Sequence, residues 1–382
     1  MPRLAGKKRG KRPGSGHFGT TMTAHETIDV PGSPHAAARG WHADIPDDMP
    51  MLRSAVDLTR DLAEARPGIY WPDMLVSAAI GYGSLALAIL TQHIGVAIAA
   101  GVVAAIALYR ALLFIHELTH IHKNALPGFR FAWNLLVGIP MLIPSLMYEG
   151  VHTLHHARTR YGTADDPEYL SLALMKPWSL PVFLLTAVLL PPALLFRFAI
   201  LTPLGVLFPP LRRFVWERFS SLSINPQFRR RPPEGAFRRM VFWQELGASA
   251  WAITLLGSTY FLGWRPLLII MAVQAFAAVL NQLRTLVAHL WENEGEAMTV
   301  TAQYLDSVNV PPPAFLAPVW APVGLRYHAL HHLLPSMPYH ALGEAHRRLH
   351  AHLGGQSTYE QASYPGLFML LGRLARNTMR KD

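Results

Sequence analysis

The stretch Val96–His120, VAIAAGVVAAIALYRALLFIHELTH, carries a single charge, Arg110, before it ends in His116-Glu117-Leu118-Thr119-His120. A bilayer core needs about 20 apolar helical residues, so Val96–Ile115 reads as a transmembrane helix. The histidines follow without a break. Their i, i+4 spacing puts both imidazoles on one helix face. A span that delivers two metal-ligand side chains to its own end points to an all-α membrane protein with a metal site at the membrane boundary.

Working outward, Met74–Leu90 is apolar and joins Val96–Ile115 through Thr91-Gln92-His93, forming a transmembrane hairpin. Gly247–Gly263 and Pro266–Leu283, joined by Trp264-Arg265, form a second. The expected fold is a four-helix transmembrane stem of two hairpins (spans about 74–90, 96–115, 247–263 and 266–283). A cytoplasmic helical cap, 116–246 and 284–350, holds a His-rich dimetal site. Residues 1–47 form a basic, Gly- and Pro-rich arm with no periodicity, expected to be disordered. Residues 48–66 set Met51, Leu52, Ala55, Leu58 and Leu62 at helical spacing between charges, as in an amphipathic helix on the membrane surface. Phe131–Met147, broken by Asn134, Pro140 and Pro144, is expected to be interfacial or re-entrant. Ser179–Phe208 is apolar but interrupted by Pro191-Pro192 and Arg197. A charge at the bilayer centre costs several kcal/mol, which favours an interfacial course for it. Residues 351–382 form a C-terminal tail.

Composition agrees. Of 382 residues 51% are hydrophobic and only 15% charged, against about a quarter charged in a soluble domain. The absence of cysteine excludes disulfides, iron–sulfur clusters and thiolate metal sites. Any metal must be held by imidazole, carboxylate or amide. The net charge of +10 lies largely in arginines that flank apolar segments, eight of them between 211 and 240. Positive-inside anchoring explains that pattern better than nucleic acid does.

Two further clusters read HxxHH: His152-Thr153-Leu154-His155-His156 and His328-Ala329-Leu330-His331-His332. With this histidine content one HxxHH is expected by chance roughly 0.05 times, so two copies are not accidental. His289 follows the last span. Two hairpins that both end on the cytoplasmic side bring His116, His120, His152, His155, His156, His289, His328, His331 and His332 to one membrane face. These nine are the candidate metal ligands. His93 lies in the external loop, and His17, His25, His35 and His42 in the arm. His346, His350 and His352 read as a solvated helix face, and His122 and His340 as outer partners of the site. Carboxylates placed to bond imidazole N–H groups are Glu117, Glu149, Asp165, Asp166, Glu292 and Asp306, although Asp165 and Asp166 read more simply as solvated acids. Asn281 and Gln282 are costly in lipid and should face the interior.

The series HELTH, HTLHH and YHALHHLLPSMPYHAL resembles the membrane fatty-acid desaturase and hydroxylase superfamily over roughly residues 70–350. His331-His332-Leu333-Leu334-Pro335, followed by Pro338-Tyr339, is especially like the desaturases, and Arg284-Thr285…His289 is similar to the family's additional histidine segment. The resemblance implies two iron ions in a cytoplasmic cap, held by those nine histidines, with dioxygen as co-substrate. It implies a lipid or acyl substrate and two electrons per turnover. No haem-binding HPGG segment is present, so an external donor of ferredoxin or cytochrome b5 type is expected. Imidazole suits iron and zinc alike, but only a redox metal attacks an unactivated C–H bond, and nine imidazoles exceed one tetrahedral site. The expected activity is fatty-acid (acyl-lipid) desaturation. A lipid, alkane or carotenoid hydroxylase with the same site is the alternative. Two readings from other classes are a membrane metal-binding or transport protein and, from HELTH alone, a zinc protease.

Overall fold

The computed structural model describes residues 45–122 and 124–379. The arm, and with it His17, His25, His35 and His42, lies outside the described residues except for its last three positions. Among the described residues the chain is helical, with isolated β-bridges and no strand.

α1 (Met49–Asp57) is followed by two long helices, α2 (Pro67–Leu90) and α3 (Ile94–Leu112). α2 starts with Pro67 in its first turn, where a missing N–H costs nothing. The α2–α3 pair packs closely because Gly81 faces Leu108: a Cβ at Gly81 would meet Leu108 Cγ at 2.6 Å. α4 (Phe114–His120) continues α3 past a kink at Leu113. α5 (Phe129–Trp133) runs into a π-turn at Asn134–Gly138. The Asn134 carboxamide then accepts from the Ser145 backbone N–H at 2.8 Å, folding the segment back on itself. Phe131 and Leu135 are exposed on its outer side. The segment is broken and turns back, as its prolines suggest.

α6 (His152–His155) opens the first half of the cap. α7 (Ser179–Phe196), α8 (Thr202–Leu207) and α9 (Pro209–Phe219) follow, and α7 joins α8 through a π-turn at Arg197–Leu201. α10 (Gly235–Leu262) and α11 (Arg265–Leu286) form the second hairpin. The second half of the cap comprises α12 (Val300–Asp306), α13 (Ala317–Trp320), α14 (His328–Leu333), α15 (Leu342–Leu353) and α16 (Leu367–Met379).

Four helices are long and apolar enough to cross a bilayer: Pro67–Leu90, Ile94–His120, Ser179–Leu207 and Arg265–Leu286. Three contain expected spans. The fourth is the segment expected to be interfacial, and α10, which contains the expected span 247–263, is not among them. α10 is long enough, but Gln244, Glu245 and Ser249, all buried against protein, lower its apolar content. Hydropathy alone ranks Ser179–Leu207 above α10, and its contacts tie it to the neighbouring elements. Near its start, Phe183 C=O accepts from Gln282, close to the cap end of α11. Further on, Arg197 donates to Phe219 C=O at 2.8 Å, and the neighbouring Ser220 C=O is held by Arg230, which also reaches Glu149 C=O. Both ends of α7 are thus tied to neighbouring elements. Arg197 is buried and pairs with Glu245 at 2.8 Å, and Glu245 also takes Arg212.

α1 departs from expectation. Met51 and Ala55 do not lie on a free outer face: they are buried in a cluster with Tyr304, Leu349 and Tyr359 of the cap. Asp48 N–H donates to Thr301 Oγ1 at 2.8 Å, fixing the start of the helix to α12. Its amphipathic face is used on protein, a partner that periodicity does not specify.

Candidate metal centre

Each histidine cluster sits where a helix meets a turn. α4 presents His116 and His120 one helical turn apart. α6, a single turn, carries His152 and His155 and is capped by His156. α14 carries His328, His331 and His332. His289 lies just past α11, pinned by bridging to Ser307 and by the bonds Leu290 N–H to Asp306 C=O and Val308 N–H to Ala288 C=O.

The structure brings all nine candidates together, in two groups. His116, His120, His152, His156 and His331 form one; His155, His289, His328 and His332 form the other. Within each group one ligand atom per residue lies within 4.8 Å of the others. The helical spacing explains the division. In each HxxHH box the i and i+4 imidazoles go to the same group and the i+3 imidazole crosses to the other. His152 and His156 join the first group and His155 the second; His328 and His332 join the second and His331 the first. The two boxes therefore interlock the groups.

The ring nitrogens converge as ligands would. His152 and His156 face each other through Nε2 at 3.0 Å, His156 and His331 at 3.1 Å, His289 and His328 at 3.1 Å, and His328 and His332 at 3.2 Å. Imidazole nitrogens about 2.1 Å from one ion at right angles would stand about 3.0 Å apart. Both ring nitrogens of His116 and Nε2 of His120 are buried without a hydrogen-bond partner. A buried polar atom left so is costly, and a bound cation would satisfy it. The residues present fit a pair of metal ions.

The Nδ1 atoms of His155, His152 and His289 are held from behind. His155 Nδ1 bonds Asp166 at 2.9 Å, and His152 Nδ1 meets Glu168 at 3.1 Å and the Tyr148 hydroxyl at 2.9 Å. His289 Nδ1 meets the Tyr161 hydroxyl at 2.8 Å, and that hydroxyl donates to Asp306 at 2.8 Å. Such contacts fix ring orientation and tautomer and raise ligand basicity. Burial pushes His152, His156, His289, His328, His331 and His332 well below the usual histidine range, which keeps them in the neutral, metal-binding form. His155 is also pushed down by burial, but Asp166 outweighs this and the net direction is upward. Burial lifts the Glu168 carboxyl to about 7 against the opposing pull of His155.

The other candidates are placed as follows. Asp166 is fully buried against His155, so reading it as a solvated acid fails; Asp165 is exposed. Glu117 accepts from the Tyr70 hydroxyl at 2.5 Å and lies 3.6 Å from His116 Nδ1. Glu149 is taken by Arg130, and Glu292 accepts from Arg373 and Asn377. His122 is exposed, and His340 accepts from Arg66 N–H; neither joins a group. His350 and His352 are exposed, but His346 is buried and bonds the Tyr359 hydroxyl at 2.8 Å, so that face is not fully solvated. Glu168, Tyr148 and Tyr161 escaped sequence reasoning. The one available signal was Asp165-Asp166-Pro167-Glu168 following the second box within a short loop.

A cavity of about 600 Å³ reaches both groups, lined by His116, His152, His155, His289 and His328. Its long wall is the apolar face of α7, including Phe183, Leu190 and Leu194; Asn281 and Gln282 face it from α11. The two intramembrane amides therefore do point inward.

Comparison with known proteins follows the same lines. A family model described as fatty acid desaturase matches residues 69–363. A protein named "Ceramide hydroxylase" from Caulobacter vibrioides (strain NA1000 / CB15N) is 46% identical over 338 residues, covering 88% of this chain and 96% of that protein. The protease and metal-carrier readings give way here: the matched family is one of lipid oxidation, and both histidine groups lie at helix ends rather than along a path through the stem. With its apolar helices, its paired histidine groups and a family match over most of its length, this integral membrane oxidoreductase belongs to the fatty acid desaturase family.

Proposed function

We propose that the chain hydroxylates a ceramide-type lipid, inserting oxygen into an unactivated C–H bond at a diiron centre held by the nine histidines. The observation that carries hydroxylation over desaturation is the 46% identity, over nearly the whole of both chains, to a protein named for ceramide hydroxylation. The desaturase-like tail of the third box favoured double-bond formation on sequence alone. Long near-full-length identity to one relative outweighs a short motif common to a wide family.

Two irons bound there would supply dioxygen activation: one oxygen atom enters the C–H bond and the other leaves as water, with two electrons and two protons from a separate donor. The protein's own residues do the rest. His116, His120, His152, His156 and His331 would hold one ion; His155, His289, His328 and His332 the other. Asp166 and Glu168 hold His155 and His152 in register. The Tyr161 hydroxyl, anchored on Asp306, does the same for His289. The α7 wall receives the lipid chain and excludes water. Hydroxylation and desaturation share this site and differ in whether a second hydrogen is removed from the neighbouring carbon. The metal site and termini face the cytoplasm, where a ferredoxin or cytochrome b5 type donor would dock.

The test is product analysis. Purified protein with a reducing system and ceramide should give a product heavier by one oxygen atom, with the label retained from isotopic dioxygen. A product lighter by a hydrogen pair would establish desaturation instead. No change in ceramide, with turnover of another acyl lipid, would sink the substrate assignment.

A further inference from the structure

One cation in the cavity has no part in the scheme above. Arg284 lines it together with Asn281, Thr285, His289 and His328. Its Nη2 reaches only the Asn281 carboxamide oxygen at 3.2 Å and the Thr285 hydroxyl at 3.1 Å, both on its own helix. Its Nε is buried with no acceptor. A guanidinium offers five N–H donors, and the Glu168 carboxylate on the same cavity wall acts on this charge through space. Arg197, another arginine that lines the cavity, is paired with Glu245.

The position is unfavourable for a structural cation. Arg284 shares the cavity with His289 and His328, both members of the second histidine group. Two metal ions there would add repulsion. A buried guanidinium N–H left without an acceptor beside a dimetal site is costly, unless a ligand supplies one. The neighbours suit an oxygen-rich ligand: a carboxamide, a hydroxyl and a cationic fork. An amide carbonyl with nearby hydroxyls is the polar head of a ceramide.

Resting on the ceramide reading, we propose that Arg284, with Asn281 and Thr285, binds the oxygen atoms of the lipid's polar head, so that the oxidised carbon lies within a few bonds of that head. Arg284 lies in the last turn of α11 and His289 three residues past its end, so the two are near neighbours along the chain. A head anchored there leaves only a short length of chain before the histidines, and the acyl remainder runs along α7. A head held instead at the far end of the cavity, near the exposed Arg218, would bring mid-chain carbons to the metals.

The full-length protein is tested as purified, with dioxygen and reductant excluded so that binding is read without turnover. A fluorescent ceramide in detergent micelles serves as probe. Arg284→Leu should weaken binding about 10- to 100-fold, the range for a lost charge-assisted hydrogen bond. Arg284→Lys, which keeps the charge but not the fork, should lose less and melts as wild type if the fold is intact. Under turnover, fragmentation of the product should place the new hydroxyl near the head in wild type and spread it along the chain in Arg284→Lys. Ceramide bound equally by wild type and Arg284→Leu, or binding lost in Arg218→Leu instead, overturns the anchor alone. Wild-type protein that binds and oxidises no ceramide overturns the ceramide reading and the anchor together.

Discussion

Asp166 holds His155, and Glu168 holds His152, each by a ring Nδ1. Their removal should therefore act on metal retention before it acts on fold. Asp166→Ala and Glu168→Ala are expected to lose about 10- to 100-fold in metal affinity, the usual effect of removing an outer hydrogen-bond partner. Titration with a competing chelator measures it; unchanged affinity would mean that the carboxylates only fill space. His346 makes the opposite case. It is buried on Tyr359, away from both groups. His346→Ala should cost about 1–3 kcal/mol in thermal stability in detergent, through the unsatisfied hydroxyl it leaves, with metal content unchanged. Eight of the nine candidate ligands were legible from a repeated spacing, i, i+4 or i, i+3 and i+4, which a reader can see; His289 was singled out by its place after the last span. Their outer partners were not. Asp166 and Glu168 reach the site through a loop with no period, and His346 sits on a helix whose arginines disguise a buried face. Only tertiary packing distinguishes these from solvated neighbours.

At the scale of elements, the α2–α3 hairpin followed from hydropathy, whereas the partners of amphipathic or interrupted segments did not. α1 has the pattern of a membrane-surface helix, yet Met51 is buried against the cap. A periodic apolar stripe states that something covers it but not what. Met51→Ala should cost about 2–5 kcal/mol, as truncations in packed cores do, with no change in detergent or lipid dependence. Insensitivity of stability to that change would return α1 to the membrane surface. Arg197 ties α7 to α10 through Glu245, with both side chains buried. Arg197→Ala should cost about 3–5 kcal/mol, the cost of leaving one partner of a buried pair uncompensated. Melting temperature in detergent reads both effects.

For the whole molecule, the expected topology is a matter of parity. Nine histidines on four separate segments reach one place only if every excursion between them crosses the membrane an even number of times. On the proposed topology α2 with α3 and α10 with α11 are the returning pairs, and α7 is bonded to α11 near its start and, through Arg197, to Phe219 at its end. With no native cysteine, single cysteines at exposed His93, Trp264 and Gln227 serve as probes. A membrane-impermeant thiol reagent is expected to label the first two from outside and to spare the third, in keeping with the arginines around it. The reverse pattern would overturn the cytoplasmic assignment. The most direct test of the centre itself is elemental: iron and zinc per chain in full-length protein purified without oxygen, for wild type and His289→Ala. About two irons are expected in wild type, since two imidazole-rich groups suit a pair of redox metals, with loss confined to one of them in the variant. One stoichiometric zinc and no iron, or full metal content in His289→Ala, would contradict a paired site built by these nine histidines.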